Sequence, residues 1–220
     1  MSNIVNDVVE DYIRHTLKDA DGLLKELEVF AEENSVPIVH KEVSDLLKVL
    51  LKMQKPQRIL EVGCAIGYSS ILFATTCEDN VDITTCERNP VMIERAKENI
   101  KRAGFENNIR ILEGDAVEQL KNVEGEFDMI FLDAAKGQYK LFYDLVIDKL
   151  KVGGVLISDN ILYKGMIASD DLVVRRKKTI VKRMRNYLDY ICNCEYLSTS
   201  LIPIGDGVAL SYKEKERGAE

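Results

Sequence analysis

Arg58-Ile-Leu-Glu-Val-Gly-Cys-Ala-Ile-Gly-Tyr-Ser69 decides the reading of this chain. An apolar strand with one acid runs into a glycine-bounded turn, and a helical pattern follows. Gly63 and Gly67 can take backbone angles, or admit a close neighbour, that a side chain would block. The helix starts at the turn, where its unpaired N–H groups favour negative charge. Such a turn lets a nucleotide-like cofactor lie against bare backbone. Glu61 and the Gly-x-x-x-Gly spacing differ from the Gly-x-Gly-x-x-Gly dinucleotide fingerprint, and the Lys-Ser/Thr pair of a phosphate-binding loop is missing.

Outward from this turn, strands and helices alternate. Strands are expected at 58–62, 81–86, 109–113, 127–132 and 153–158, and helices at 68–77, 90–103, 116–121 and 138–150. Alternation of this kind predicts an α/β fold with a mainly parallel sheet covered on both faces. A long helix is expected over about 171–191. Two late strands, about 195–202 and 207–213, are joined by Pro203-Ile-Gly-Asp-Gly207 and predict an antiparallel hairpin. The sum is a seven-stranded sheet with one reversed strand. Upstream, Val5, Val8, Val9, Tyr12 and Ile13 recur at helical spacing, as do Leu23, Leu24, Leu27 and Phe30, then Val43, Leu46, Leu47 and Leu50. Residues 1–55 therefore read as a helical cap and 56–213 as an α/β core, together one domain over 1–220. The charged tail Lys213–Glu220 reads as frayed.

A length of 220 residues suits one domain with a substantial core. No apolar run reaches membrane-spanning length. The start Met1-Ser-Asn-Ile-Val-Asn-Asp7 lacks a basic segment and an apolar block, so a cytoplasmic location is expected. Five cysteines without a C-x-x-C pair point to reduced thiols. A net charge of -7 argues against a general polyanion binder but allows a local basic surface.

Open α/β sheets bind ligands at the carboxyl ends of their strands. Here those ends read Glu61-Val-Gly63, Cys86-Glu87, Glu113-Gly-Asp115, Asp133-Ala-Ala-Lys136 and Ser158-Asp-Asn160. Glu87 follows Gly67 by 20 residues and can accept bonds from ribose hydroxyls, or be a solvated strand-end acid. Asp115, between Gly114 and Ala116, can face an adenine amino group or cap the next helix. Ser69 can bond a methionine carboxylate or cap its own helix. Asp133, Asp159 and Asn160 are hard oxygen donors suited to an octahedral divalent cation, although Asp159-Asn160 alone also reads as an Asx turn. Lys136 by itself reads as an exposed helix-start lysine. His15 and His40 fall in the cap and read as structural or surface residues.

Glu61–Ser69 resembles motif I of the S-adenosylmethionine (SAM)-dependent methyltransferases. With Cys86-Glu87, Gly114-Asp-Ala116, Phe131-Leu-Asp-Ala-Ala-Lys136, Ser158-Asp-Asn160 and Ile204-Gly-Asp-Gly207, the chain resembles the metal-dependent catechol and caffeoyl-CoA type O-methyltransferases. The resemblance spans most of the chain, and Asp133-x-x-Lys136 and Asp159-Asn160 are its most specific parts. It implies a Rossmann-like class I methyltransferase fold and a homodimer. It also implies that Asp133, Asp159 and Asn160 hold Mg2+ or a similar ion, with Asp133 also beside the SAM. Glu87 would hold the ribose, Asp115 and Ala116 the adenine, Ser69 the methionine part, and Val39 a backbone contact from the cap. Gly63 and Gly114 would line the donor, and Lys136 would act with Asp133 in catalysis.

Arg175-Arg-Lys-Lys-Thr-Ile-Val-Lys-Arg-Met-Arg185 holds seven basic residues in eleven and no acid. Arg175, Lys178, Lys182 and Arg185 fall opposite Ile180, Met184, Tyr187 and Ile191. This is either a solvated amphipathic helix or a phosphate-binding face. With Val36-Pro-Ile and Asn160-Ile-Leu-Tyr-Lys-Gly165, it is similar to a bacterial branch that methylates 5-hydroxyuridine in tRNA to 5-methoxyuridine. The expected partner is thus a tRNA anticodon loop, the alternative being a small catechol-like or caffeoyl-CoA-like phenol. A non-catalytic SAM- or RNA-binding module is disfavoured by the intact Asp133, Lys136, Asp159 and Asn160 set.

Overall fold

The computed structural model describes residues 4–78 and 80–219. Contacts divide the chain into two compact units, Asp11–Gln119 on the one hand and Met1–Glu10 with Leu120–Glu220 on the other.

The first unit holds most of helix α1 (Asp7–Thr16), then α2 (Gly22–Asn34), α3 (Lys41–Gln54), β1 (Arg58–Val62), α4 (Tyr68–Thr76), β2 (Asp82–Glu87), α5 (Pro90–Ala103) and β3 (Ile109–Glu113). Its strands pair in parallel, with Val62 opposite Cys86 and Glu87 opposite Glu113. Ile59, Leu60 and Val62 are fully buried, as a parallel strand covered on both faces requires. Helix α5 starts and stops where its caps dictate. Asn89 accepts from the Val91 N–H at 3.0 Å, Pro90 opens the helix, and Gly104 ends it in the left-handed region. A helix of the expected cap is bonded within this unit: the Tyr68 hydroxyl donates to Glu28 at 2.8 Å, joining α2 to the start of α4.

The second unit holds β4 (Phe127–Leu132), α7 (Tyr139–Val146), β5 (Leu150–Ser158), α8 (Lys178–Cys192), β6 (Leu197–Ile202) and β7 (Val208–Lys213). The short helix α6 (Ala116–Lys121) spans the boundary. β4 and β5 pair in parallel, and β7 runs antiparallel to both β5 and β6. The seven strands belong to one mixed sheet, as expected.

Three boundaries differ from expectation by three residues or more. β5 begins at Leu150, because Gly153 and Gly154 form an irregularity within the strand and do not mark its start. Helix α7 accordingly ends at Val146 and passes through a 3-10 turn, Ile147–Lys149. Helix α8 begins at Lys178, after two 3-10 turns at Asp170–Leu172 and Arg175–Lys177. The tail is anchored at its root: Lys213 is fully buried, and its Nζ donates to Leu150 O at 2.6 Å and to Glu216 at 2.7 Å. A buried ammonium is tolerable only when its donors are met in this way. Among the described residues, no helix is long and apolar enough to cross a membrane.

Candidate active site

In the first unit the glycine turn is held from two sides. Gly63 and Cys64 donate their N–H groups to Cys86 O, both at 3.1 Å, and the Gly67 N–H closes the turn onto Cys64 O at 2.8 Å. Gly67 stands at φ 84 as the residue before α4. A Cβ there would meet Ala96 only at ordinary contact distance, so the angle, and not crowding, calls for glycine.

Beneath the turn lies Glu61, fully buried on β1. Its carboxylate accepts hydrogen bonds from the hydroxyls of Ser69 and Ser70 and, at 2.6 Å, of Thr85. Glu61 thus ties β1 to β2 and to the first turn of α4. Sequence reading missed this role, although the hydroxyls of Ser69, Ser70 and Thr85 were its only signal. It also corrects both readings of the Ser69 side chain. The hydroxyl is turned inward to Glu61 and caps nothing, because Gly67 occupies the cap position. What Ser69 can offer a carboxylate is its backbone N–H in the first turn of α4. The thiols of Cys64 and Cys86 flank the same strand ends. Burial, and then the Glu61 charge, pushes Cys86 up to about 12 and Cys64 higher still, which leaves both unreactive.

Glu87 ends β2 and is fastened to backbone. It accepts from the N–H groups of Ala65 at 2.9 Å, Arg88 at 2.9 Å and Asn89 at 2.8 Å. A carboxylate has about four lone-pair positions, so Glu87 keeps about one open in this conformation. Gly114, at φ 125, bonds back to Glu87 O at 2.8 Å. Asp115 accepts from the Val117 N–H at 2.9 Å and so caps α6 with one oxygen; Ala116 is the first residue of that helix. Val39 is buried just before α3. Near it, Arg14 donates to both Glu42 oxygens, at 2.9 and 2.7 Å. Burial alone would raise the Glu42 carboxyl, but hydrogen bonds from Arg14 and His40 outweigh it and hold the carboxyl far below the usual carboxylate range. His15 and His40 are both exposed, in keeping with surface roles. A groove of about 1030 Å³ runs between α5 and β3, yet none of the expected donor-binding residues lines it.

In the second unit the ends of β4 and β5 converge. The Asp159 N–H donates to Leu132 O at 2.9 Å, and the Tyr139 hydroxyl reaches Leu132 O at 3.1 Å and Asp159 O at 2.8 Å. Burial, then the charges of Asp133 and Asp159, hold that hydroxyl well above its ordinary pKa, so both carboxylates act at one buried point. Asp159 is buried, and Asn160 follows it in the left-handed region at φ 55, a conformation Asn tolerates. The Asn160 N–H bonds back to Asp159 Oδ1 at 2.6 Å, whereas the Ile161 N–H that an Asx turn would use goes to Gly207 O, so the dipeptide is not an Asx turn. Lys136 opens a 3-10 turn, Lys136–Gln138, and its Nζ donates to Asn160 Oδ1 at 2.7 Å. The structure thus brings Lys136, Asp159 and Asn160 together, with Asp133 half-buried at the adjoining strand end.

The basic segment divides in two. Arg183 donates to Gly137 O at 3.4 Å, and Arg185 is pinned to Ile167 O at 2.9 Å and Asp170 at 2.6 Å. Arg185 therefore leaves the expected open face, because its guanidinium satisfies loop carbonyls. Arg175, Arg176, Lys178 and Lys182 stay exposed. On the other face Val181, Met184, Tyr187, Leu188 and Ile191 are buried, and Ile180 only partly.

A family model described as O-methyltransferase matches residues 15–214. The caffeoyl-CoA O-methyltransferase of Populus kitakamiensis is 31% identical over 186 residues, covering 80% of this chain and 77% of its own. A Staphylococcus aureus structure, provisionally named a caffeoyl-CoA O-methyltransferase, is 40% identical and covers 94% of this chain and 98% of its own, with a TM-score of 0.84. The S-adenosylhomocysteine (SAH)-bound methyltransferase PaMTH1 of Podospora anserina, 24% identical, has the same fold at a TM-score of 0.86, with 95% of each chain covered. A glycine turn backed by strand-end acids, a family match over nearly the whole length and a relative at 31% identity together establish that the chain belongs to the SAM-dependent O-methyltransferases of the caffeoyl-CoA and catechol type.

Proposed function

We propose that the protein transfers the SAM methyl group to one of two neighbouring oxygens of a small catechol-like phenol, with help from a divalent cation. One observation carries this: a Lys136 ammonium hydrogen-bonded at 2.7 Å to Asn160 Oδ1, the residue beside buried Asp159. Asp133, Asp159 and Asn160 are hard oxygen donors, and one of them already accepts a cationic group, so the set fits Mg2+. Bound there, such an ion would polarise the acceptor oxygens and orient them. Lys136 would hold the acceptor hydroxyl and, once it has shed its own extra proton to solvent as a neutral amine, take the hydroxyl proton as the oxygen–carbon bond forms and the sulfur–carbon bond breaks. In the other unit, Glu87 would hold the ribose, Asp115 and Ala116 the adenine, and the Ser69 N–H the methionine carboxylate. The names of the relatives support a phenolic acceptor.

A second reading, methylation of 5-hydroxyuridine in tRNA, rests on the four exposed basic residues Arg175, Arg176, Lys178 and Lys182. They precede or open a helix whose Arg183 bonds to the turn of Lys136. The 5-hydroxyl and 4-carbonyl of that base are neighbours and could chelate one cation as a catechol does.

The test is methyl transfer from labelled SAM to caffeate, with Mg2+ and with EDTA, alongside nucleoside mass spectrometry of cells lacking the protein. Transfer to caffeate that EDTA abolishes, and that Asp159→Ala abolishes while SAH still binds, supports the first reading. Full activity in EDTA removes the cation. Loss of 5-methoxyuridine from the deletion strain replaces the phenol with tRNA.

A further inference from the structure

Three of the seven non-glycine residues with positive φ among the described residues fall within five positions: Asn160 at 55°, Tyr163 at 46° and Lys164 at 58°. Left-handed backbone is unfavourable for such side chains and persists only where the surroundings impose it. Here two fasteners impose it. On one side the hairpin turn accepts the loop: Ile161 N–H to Gly207 O at 3.0 Å, Leu162 N–H to Asp206 O at 2.9 Å, and Lys164 N–H to Asp206 Oδ1 at 2.5 Å. On the other side stands Arg185 of α8. Its Nε donates to Ile167 O at 2.9 Å, its Nη2 to Met166 O at 3.2 Å, and its Nη1 to Asp170 at 2.6 Å. Tyr163 and Met166 are buried against Val181, so the loop also rests on the helix that carries the arginine.

We propose that Arg185 is a positioning residue for methyl transfer: by fastening the left-handed loop that begins at Asn160, it holds the Asn160 side-chain oxygen where a cation and the acceptor need it. The inference rests on the proposed cation site. A guanidinium is suited to the task, because its rigid planar fork holds two carbonyls and a carboxylate in fixed directions, whereas an ammonium is a point charge on a flexible stem. The Asp170 pair is largely exposed and screened, so the two carbonyl bonds carry most of the effect.

The experiment measures Mn2+ affinity by electron paramagnetic resonance and SAH affinity by calorimetry, on the full chain. Arg185→Met should weaken Mn2+ binding about tenfold or more, the usual effect of removing a group that orients a metal ligand, with SAH affinity unchanged. Adding Lys164→Gly should restore part of the loss, because glycine takes the left-handed angle without a fastener. Equal Mn2+ affinity in Arg185→Met and the parent overturns the proposal, as does a double variant no better than the single one. If Arg185→Met fails to fold, Arg185→Lys takes its place: weaker Mn2+ binding supports the role and unchanged binding overturns it. Asp159→Ala separates the two levels. If the parent binds Mn2+ no better than Asp159→Ala, the cation site itself falls, and the role of Arg185 with it.

Discussion

Gly207→Ala should strongly destabilise the acceptor unit. A Cβ at this position would lie 2.4 Å from Leu162 Cγ, 2.8 Å from its Cδ1 and 2.9 Å from its Cβ. Ordinary carbon contacts are roughly 3.5–4.0 Å. The clash reaches the root of the Leu162 side chain, so a rotamer change cannot relieve it. The backbone is also held by the Ile161 N–H on Gly207 O. Overpacking of this kind costs about 1–3 kcal/mol. The left-handed angle, φ +85, adds about 1–2 kcal/mol for an L-residue, for a total of roughly 2–5 kcal/mol. Gly104 is the control. It stands at φ +78 with nothing within 4 Å of its Cβ, so Gly104→Ala isolates the cost of the angle. Urea unfolding followed by far-ultraviolet circular dichroism gives both values. The clash should appear as the difference, about 1–3 kcal/mol. Methyl transfer should fall in Gly207→Ala with SAH affinity intact, since the change lies in the unit of Asn160. A Gly207→Ala variant no less stable than Gly104→Ala would refute the reasoning.

Glu61→Ala should cost about 3 kcal/mol, roughly 1 for each hydroxyl left without its acceptor, and should weaken SAH binding; unfolding within about 1 kcal/mol of the parent would contradict the hub role. Glu42 gives a pH prediction. Its folded pKa is depressed, so its stabilisation is present above the unfolded value near 4.3 and is lost as pH falls toward the folded value. Glu42→Gln should therefore lose about 2 kcal/mol at neutral pH and show a shallower acid limb in stability against pH; an unchanged limb would discount the Arg14 pair. Lys136→Met should lower transfer about a hundredfold or more and leave SAH affinity alone, measured with labelled SAM; activity near that of the parent would take the lysine out of the chemistry.

What the sequence made legible follows burial. β4 and α5 appear at their expected bounds, because the buried β4 reads as a mostly apolar run and Asn89, Pro90 and Gly104 punctuate the helix; β3 also matches, as a half-exposed edge strand in which Ile109 and Ile111 alternate with Arg110. β5 was read three residues short, since two adjacent glycines signal a break and a strand irregularity alike. The start of α8 was read too early, because helical spacing continues through Val173 and Val174, where the backbone is extended. Lys213 was read as tail, since charge suggests solvent until the carbonyls that receive it are known. Candidate site residues were legible as positions at strand ends. Their partners were not. Ser69 turned inward, and Glu87 spending three acceptor positions on backbone, depend on angles that spacing does not encode.

Charge density was the feature most open to over-reading, and the structure shows why. Seven basic residues in eleven look like one surface, yet Lys177 lies over the Tyr163 ring and the other six do two kinds of work. Arg183 and Arg185 spend their donors on backbone carbonyls, of the Lys136 turn and of the loop after Asn160. Each carbonyl is a fixed partial charge that a guanidinium meets with directed bonds, so these two contacts resist salt better than exposed ion pairs do. Arg175, Arg176, Lys178 and Lys182 meet only solvent-facing surroundings, where attraction to a polyanion would be screened within about 8–10 Å. Raising the salt concentration should therefore separate the two groups. An acceptor recognised through the exposed four would lose affinity steeply with salt, whereas a small phenol held near Lys136 and Asn160 would lose almost none. That slope, taken on the parent protein with each acceptor, bears on the substrate question without any substitution.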